Sequence, residues 1–282
     1  MPRLLMFILL IGFLACGNVS SSVSSQTAAQ QCVATGSLVR LRGVAEASGA
    51  VVSRRNPGIL WTHNDSGDPI IFAFDTTGRS RGRVVITGAR VTDWEDVAIG
   101  ACPQGSCLYI ADIGDNNGAR RQITIYRVAE PAPDAQATAP AEAIALRYPD
   151  GARDAEALLV AGEQLFIVSK TEAAATALYR APLGARTATL TQVTRLPLEQ
   201  VTGGSVSLDG NWVALRTNDE LLVYRTDELA GGKSAAPRRF ALRPYGEPQG
   251  EGVAFGADGA IYLVGEGGGG GGTLAAIRCP LR

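Results

Sequence analysis

Hydrophobic and polar positions alternate in short stretches along most of the chain. Runs rich in Val, Ile, Leu and Tyr are separated by turns of Gly, Asp, Asn and Pro. This alternation is typical of many short strands, and the spacing of amphipathic helices is hard to find after the first residues. The pattern therefore predicts an all-β protein.

The same order of strands and turns repeats along the chain. Each repeat has an anchor position followed by a first strand, a tight turn, a second strand, a polar loop and a third strand. A fourth, more variable strand completes four of the repeats. The anchors are Glu46, Glu95, Glu156, Ser205 and Glu251. Four antiparallel strands in a period near 50 residues indicate a propeller blade, so we predict a β-propeller of about five four-stranded blades.

The two ends of the repeat array predict how the propeller closes. The last repeat lacks a fourth strand, and residues 37–42 form a strand-like segment that has no other partner. We expect this N-terminal strand to complete the last blade and remove an exposed edge. Cys32 and Cys279 would then lie side by side, where they could form a disulfide.

The first 31 residues differ from the rest of the chain. Arg3 precedes an apolar run over residues 4–15, which is shorter than the roughly 20 residues that span a bilayer and is typical of a signal peptide. Phe13-Leu-Ala-Cys16 resembles a bacterial lipobox, which predicts lipidation of Cys16 and anchoring at an outer or cell-surface membrane. Plain secretion or a periplasmic location is the alternative. Residues 16–31 are predicted to be a disordered tether, and residues 32–282 the propeller domain.

The cysteine count agrees with export. Lipidation of Cys16 would leave four of the five cysteines, and thiols in an oxidising compartment persist as disulfides. Cys102 and Cys107 flank a tight turn that places them within bridging reach. Zinc is the alternative, but one Cys-x4-Cys pair with two distant cysteines is a poor ligand pattern. We predict the disulfides Cys32–Cys279 and Cys102–Cys107.

The charge of the chain bears on which kinds of molecule it binds. The formal net charge is −1 and no basic stripe is present, which argues against a nucleic-acid partner. We expect a monomer that binds a small molecule or a protein and that contacts a membrane only through its lipid anchor.

The repeat alignment also predicts where chemistry is located. In a propeller, the starts of the first strands and the ends of the second strands share one mouth of the central channel. Besides the anchors, this mouth is predicted to hold Lys170 and Arg216. The predicted ligand-contacting residues of the mouth are Glu46, His63, Asp65, Asp96, Asp112, Asp115 and Glu266.

Carboxylates that face one narrow channel repel one another unless something compensates for their charge. Raised pKa values, pairing with Lys or Arg, or a bound cation can do so. Because Ca²⁺ takes several carboxylate oxygens, Glu95, Glu156 and Glu251 are candidate calcium ligands. The structural alternative is that the acids pair with Lys170 and Arg216 and hold the blades in register.

Several motifs of the mouth carry a family resemblance. They cover residues 61–68, 93–98, 111–116, 147–151, 154–158 and 249–252, and the first reads Trp-Thr-His-Asn-Asp-Ser-Gly-Asp. Together they resemble secreted bacterial β-propellers that are similar to the SdiA-regulated and phytase-like propeller groups. The phytase-like resemblance implies Ca²⁺ at the channel mouth and hydrolysis of phosphate esters.

Two functions remain open from the sequence. The first is a surface-tethered propeller that binds a ligand or partner, with a carboxylate-lined mouth that is a candidate Ca²⁺ site. The second is a metal-dependent phosphate-ester hydrolase, in which Glu95, Glu156 and Glu251 hold the metal or act as base while Lys170 and Arg216 bind the substrate anion. Propellers host many unrelated functions, so the fold alone does not choose between these two.

Overall fold

The computed structural model describes residues 31–171, 176–233, 236–268 and 271–281. The predicted signal peptide, the lipidation site Cys16 and nearly all of the predicted tether therefore lie outside the described residues.

The described residues form five β-sheets, which are the five blades of a propeller. Blade one contains β3 (Ala47–Val52), β4 (Ile59–Asn64), β5 (Ile70–Asp75) and β6 (Ser80–Val85). Blade two contains β7 (Trp94–Cys102), β8 (Gly105–Asp112), β9 (Ile123–Ala129), β10 (Glu142–Arg147) and β14 (Thr187–Thr189). Blade three contains β11 (Ala155–Ala161), β12 (Gln164–Ser169), β13 (Thr176–Pro182) and β15 (Thr191–Leu196). Blade four contains β16 (Gly203–Val206), β17 (Trp212–Arg216), β18 (Glu220–Arg225) and β19 (Arg238–Ala241). Blade five contains β20 (Gln249–Phe255), β21 (Ile261–Glu266), β22 (Gly272–Arg278), β1 (Val33–Ala34) and β2 (Val39–Leu41).

The first strands of the blades form a closed ring. β3, β7, β11, β16 and β20 each contact the first strand of both neighbouring blades. This closure confirms the five-bladed propeller that the repeat pattern predicts, because sheets arranged in a ring bury the inner edge of every blade.

Apolar side chains fill the space between neighbouring blades. Each of five hydrophobic clusters joins two adjacent blades, and the cluster between blades one and two includes the buried indoles of Trp61 and Trp94. Nearly all residues of the first strands are buried, because each of these strands lies between two neighbouring blades. Burial of this apolar surface is the main force that holds the ring together.

The N-terminal segment completes blade five. β1 and β2 both run antiparallel to β22, with Val33 opposite Arg278 and Leu41 opposite Gly272. Cys32 and Cys279 are joined by a disulfide with a Cα–Cα distance of 4.1 Å. Because the Arg278 end of β22 lies opposite the channel mouth, the chain enters the domain on the face opposite the mouth.

The second disulfide closes the turn between β7 and β8. It joins Cys102 to Cys107, whose Cα atoms are 5.8 Å apart. Both predicted cysteine pairs are therefore disulfides in the structure.

Three short elements are additions to the repeat. β14 leaves the β13–β15 connection and pairs in parallel with β10 of the preceding blade. A five-residue helix, α1 (Thr226–Ala230), follows β18, and a single 3₁₀ turn covers Arg243–Tyr245. No helix of the described residues has the length and apolar character needed to cross a bilayer.

Candidate functional site

The strand registers bring the predicted site residues to one face. Trp94 at the start of β7 pairs with Asp112 at the end of β8, and Gln249 at the start of β20 pairs with Glu266 at the end of β21. Antiparallel pairing places the start of each first strand beside the end of the second strand. We call this face of the ring the mouth.

A β-bulge lies at three of the anchor glutamates. The pairing register shifts between Trp94 and Asp96, between Ala155 and Ala157, and between Gly250 and Gly252. The residues at these shifts are Glu95, Glu156 and Glu251. A bulge leaves its extra residue outside the hydrogen-bonded strand pairing and changes the direction of its side chain. The backbone therefore determines where these three carboxylates point.

Three carboxylates of blades two and three converge at the mouth. One oxygen each of Glu95, Asp154 and Glu156 lies within 4.8 Å of the others, and we call these residues the acidic trio. Asp93 is adjacent to the trio, because a Cβ placed on Gly114 would overlap the carboxylates of both Asp93 and Glu95. Glycine at position 114 therefore leaves the room that these acids occupy.

Burial and nearby negative charges raise the pKa values of Glu95, Glu156 and Asp93. The carboxyl of Glu95 is 6% exposed; burial, followed by the charges of Glu156 and Asp93, raises its pKa to about 11. Burial also raises the pKa of Glu156, although the nearby Lys170 opposes the shift. The pKa of Asp93 is raised chiefly by burial. The negative charges around Glu95 are therefore not fully balanced by the positive charge of Lys170.

Lys170 is the cation beside the trio. Its Nζ lies 2.6 Å from Glu156 Oε1, and its backbone N–H donates to the carbonyl oxygen of Asp154 at 3.0 Å. Burial alone would lower its pKa, but the charges of Glu156, Asp154 and Glu95 raise it. Lys170 is therefore a charged partner of Glu156.

Glu251 lies outside the trio. Its Oε1 accepts a hydrogen bond of 2.8 Å from Gln249 Nε2. Burial raises its pKa to about 7, and the charge of Glu156 adds to that shift. Of the three predicted calcium ligands, the structure thus brings Glu95 and Glu156 together with Asp154, while Glu251 is an electrostatic neighbour.

Asp96 lies within the ring of first strands. It is fully buried, and its carboxylate accepts hydrogen bonds from the N–H groups of Val97 (2.8 Å), Leu158 (2.8 Å) and Gly204 (3.2 Å). Burial raises its pKa well above the ordinary value even though these amides oppose the shift. Because the three amides belong to blades two, three and four, Asp96 links those blades.

Arg216 is fully engaged inside blades four and five. Its side chain is 0% exposed and forms an ion pair of 3.1 Å with Glu247, and it donates to the carbonyl oxygen of Gly252 at 3.1 Å. A Cβ on Gly250 would overlap the guanidinium, so glycine at this position leaves the space that the Arg216 side chain occupies. Arg216 therefore holds the two blades together in this structure.

Asp112 and Asp115 order the loop after β8. Arg120 pairs with Asp112 at 2.8 Å. The carboxylate of Asp115 accepts the backbone N–H groups of Ala119 and Arg120. The N–H of Asp115 in turn donates to Asp154 Oδ1 at 2.7 Å, so this loop supports one member of the trio.

A second acidic group lies between blades one and five. Burial raises the pKa of Asp65 to about 6, and the charges of Glu46 and Glu266 add to the shift. Ser66 Oγ donates to Glu46. This group contributes further negative charge to the mouth.

His63 is a buried neutral residue of blade one. Burial lowers its pKa to about 4, and its Nδ1 lies 2.9 Å from the carbonyl oxygen of Asn64. Its ring meets Trp94 edge-on, with 5.6 Å between the centroids. These contacts give His63 a packing role between blades one and two.

The list of candidate site residues omits two important side chains, although the motif at residues 154–158 contains one of them. Asp154 joins the trio, and Glu247 is the partner of Arg216. A signal for the first was present, because Asp93-Trp-Glu95 and Asp154-Ala-Glu156 share the spacing Asp-x-Glu. In extended backbone, side chains two residues apart point to the same side.

Comparison with known proteins gives the fold. No family model and no curated protein matches the chain. A solved glucose dehydrogenase is 11% identical with a TM-score of 0.51, over 87% of this chain and 100% of that one. Regucalcin, a calcium-binding protein from Agrobacterium tumefaciens, is 13% identical with a TM-score of 0.50, over 90% and 98% of the two chains.

A third similar structure is a gluconolactonase from Xanthomonas campestris. It is 12% identical with a TM-score of 0.48, over 86% of this chain and 89% of that one. The similarities to the glucose dehydrogenase and to regucalcin support a common propeller architecture. They do not confirm the resemblance to the SdiA-regulated or phytase-like groups.

Proposed function

We propose that the mouth binds a divalent cation, Ca²⁺ by preference, together with a small-molecule or protein ligand. The observation that carries this proposal is the environment of Glu95. Its buried carboxyl group faces two other carboxylates, and among the described residues no Lys or Arg forms an ion pair with it. A cation would supply the compensation that this side chain lacks.

The donor set of the trio fits calcium. All three ligands are carboxylates, and Ca²⁺ binds oxygen ligands at about 2.3–2.6 Å, so two ligands of one ion lie no more than about 5 Å apart. The oxygens of Glu95, Asp154 and Glu156 meet that limit at 4.8 Å. When bound, the ion would supply positive charge for an oxygen atom of the ligand.

The surrounding residues prepare this site without a metal. The bulges lie at Glu95 and Glu156, whose carboxylates converge with Asp154, and the N–H of Asp115 donates to one oxygen of Asp154. Preformed ligands reduce the entropy that binding must overcome. The calcium-binding regucalcin shares this propeller architecture, which adds support by analogy.

The phosphate-ester hydrolase is less well supported. It requires Arg216 to bind the substrate anion, yet the guanidinium is fully buried and already paired with Glu247. Lys170 is paired with Glu156. A binding function at the mouth therefore fits these side chains better than phosphate chemistry does.

We also propose that the protein is exported. The two disulfides support an oxidising compartment, where such bonds persist. Mass spectrometry of the N-terminal peptide from native membranes would test the anchor, since a lipid on Cys16 adds the mass of its acyl chains.

Titration calorimetry of the full chain with CaCl₂ tests the cation site. We expect binding that disappears in Glu156→Gln, because that change removes a trio carboxylate. Glu163→Gln is the matched control, since Glu163 is an exposed glutamate in the turn after β11 on the opposite face. No heat in the unaltered protein and no calcium-dependent rise in its thermal midpoint would contradict the proposal.

A further inference from the structure

Lys170 occupies the solvent side of the acidic trio. It follows directly after β12, and its side chain is 29% exposed, compared with 4% for Glu156. Among the ion pairs of the described residues, the one between Lys170 and Glu156 alone involves a member of the trio. The amine therefore has a path to solvent, whereas its carboxylate partner has little exposure.

The ammonium and a divalent cation would compete for the same oxygen. Nζ lies 2.6 Å from Glu156 Oε1, which is about the length of a bond between Ca²⁺ and oxygen. Two cations that share one carboxylate oxygen are close enough to repel strongly in a buried site. The flexible four-carbon stem of lysine allows its charged end to move into water.

We propose that Lys170 is the resident counter-ion of the acidic trio and moves into solvent when a divalent cation binds, so that it sets the cation affinity of the mouth. This inference rests on the proposed function, because it concerns the same three carboxylates. It assigns Lys170 to competition with the metal, in contrast to a role in binding a substrate anion.

Calcium affinity tests the competition. We expect Lys170→Met to bind Ca²⁺ about tenfold more tightly than the unaltered full chain, because the competing charge is gone. Lys170→Arg keeps the charge and should bind within about threefold of the unaltered protein. Lys233→Met is the matched control, since Lys233 is the other lysine of the chain and lies exposed after α1.

Chemical labelling tests the movement. The chain contains two lysines, so acetylation of each can be followed by peptide mass spectrometry. We expect CaCl₂ to accelerate acetylation of Lys170 by about threefold or more relative to chelator, because an amine released from its ion pair is more accessible. The rate at Lys233 should stay the same in both conditions.

The outcomes separate the inference from the function on which it rests. Tighter binding by Lys170→Met with faster labelling of Lys170 supports both. Calcium binding that Lys170→Met leaves unchanged or weakens, with unchanged labelling, overturns the inference and retains the cation site. Absence of binding in the unaltered protein and in every variant overturns both. Binding that appears only in Lys170→Met shows that the lysine blocks the trio and supports the inference.

Discussion

Blades two and three differ from blade four in the first strand of the repeat, near the mouth. In the first two, a β-bulge places a glutamate at the mouth, and both glutamates lie in the trio. In blade four, β16 and β17 pair without a register shift, and the anchor is the buried Ser205. Blade four instead contributes Arg216, whose charge is neutralised by Glu247. The comparison shows that one structural repeat can provide either a carboxylate of a clustered acidic group or a buried, paired structural link.

The largest expected effect comes from breaking the compensated link of blade four. Arg216→Met should destabilise the protein by about 3–5 kcal/mol, because it leaves Glu247 buried without its partner. Denaturant unfolding measures the change. Arg239→Met is the matched control, since the Arg239–Glu220 pair of the same blade is exposed and should contribute less than about 1 kcal/mol. Similar losses for both variants would refute the structural role of Arg216.

An intermediate effect on stability is expected when a glutamate, as found in the neighbouring blades, replaces Ser205 in blade four. Ser205→Glu should cost about 1–3 kcal/mol, because a charged side chain enters a buried position whose hydroxyl accepts the N–H of Phe255. It should not strengthen calcium binding, since the regular register of β16 gives no bulge to redirect the carboxylate. Ser205→Gln separates the effect of size from that of charge. Tighter calcium binding in Ser205→Glu would show that residue identity, without the bulge, makes the site.

The smallest expected effect is the pH dependence that Glu95 gives to blade two. Its folded pKa of about 11 exceeds the ordinary value of 4.5, so the folded state retains a proton that the unfolded state loses. Stability in chelator should therefore fall as pH rises between about 7.5 and 9, by on the order of 1 kcal/mol per pH unit. The histidine contribution is confined to lower pH, because the pKa of His63 is about 4 in the folded state and 6.5 otherwise.

Glu95→Gln provides the control for this pH dependence. Glutamine has nearly the shape of the protonated acid and does not titrate, so the decline between about pH 7.5 and 9 should become shallower. Thermal unfolding across this range, in chelator, gives the comparison. Equal slopes for the two proteins would mean that Glu95 is not the titrating group.

The fold was accessible from the sequence because it depends on a repeated local pattern. The alternation of apolar runs and turns predicted five blades, and the pairing of β1 and β2 with β22 follows the predicted closure. β14 was not predicted, since it leaves its own repeat to pair with β10 of another blade. Such an addition depends on tertiary packing and leaves little trace in a local pattern.

The site was accessible only in part. The repeat alignment led to Glu95 and Glu156, but bulges depend on the register between two strands, which residue types alone do not specify. Arg216 was a candidate anion ligand because the repeat alignment did not include its ion-pair partner, Glu247. Glu247 lies in the connection between blades four and five, outside the repeated strands.

The position of Cys32 has a mechanical consequence. Cys32 lies on the face opposite the mouth, so the predicted tether, which ends at residue 31, would attach on that face and leave the mouth facing away from its attachment point. Tension on the tether would reach Cys32 first and pass through the disulfide into Cys279 at the end of β22. β1 is only two residues long and could be peeled from the sheet easily. The disulfide would bear that force in place of β1. A pull on the predicted tether would then be transmitted to β22 and the strands paired with it, and the ring would stay closed.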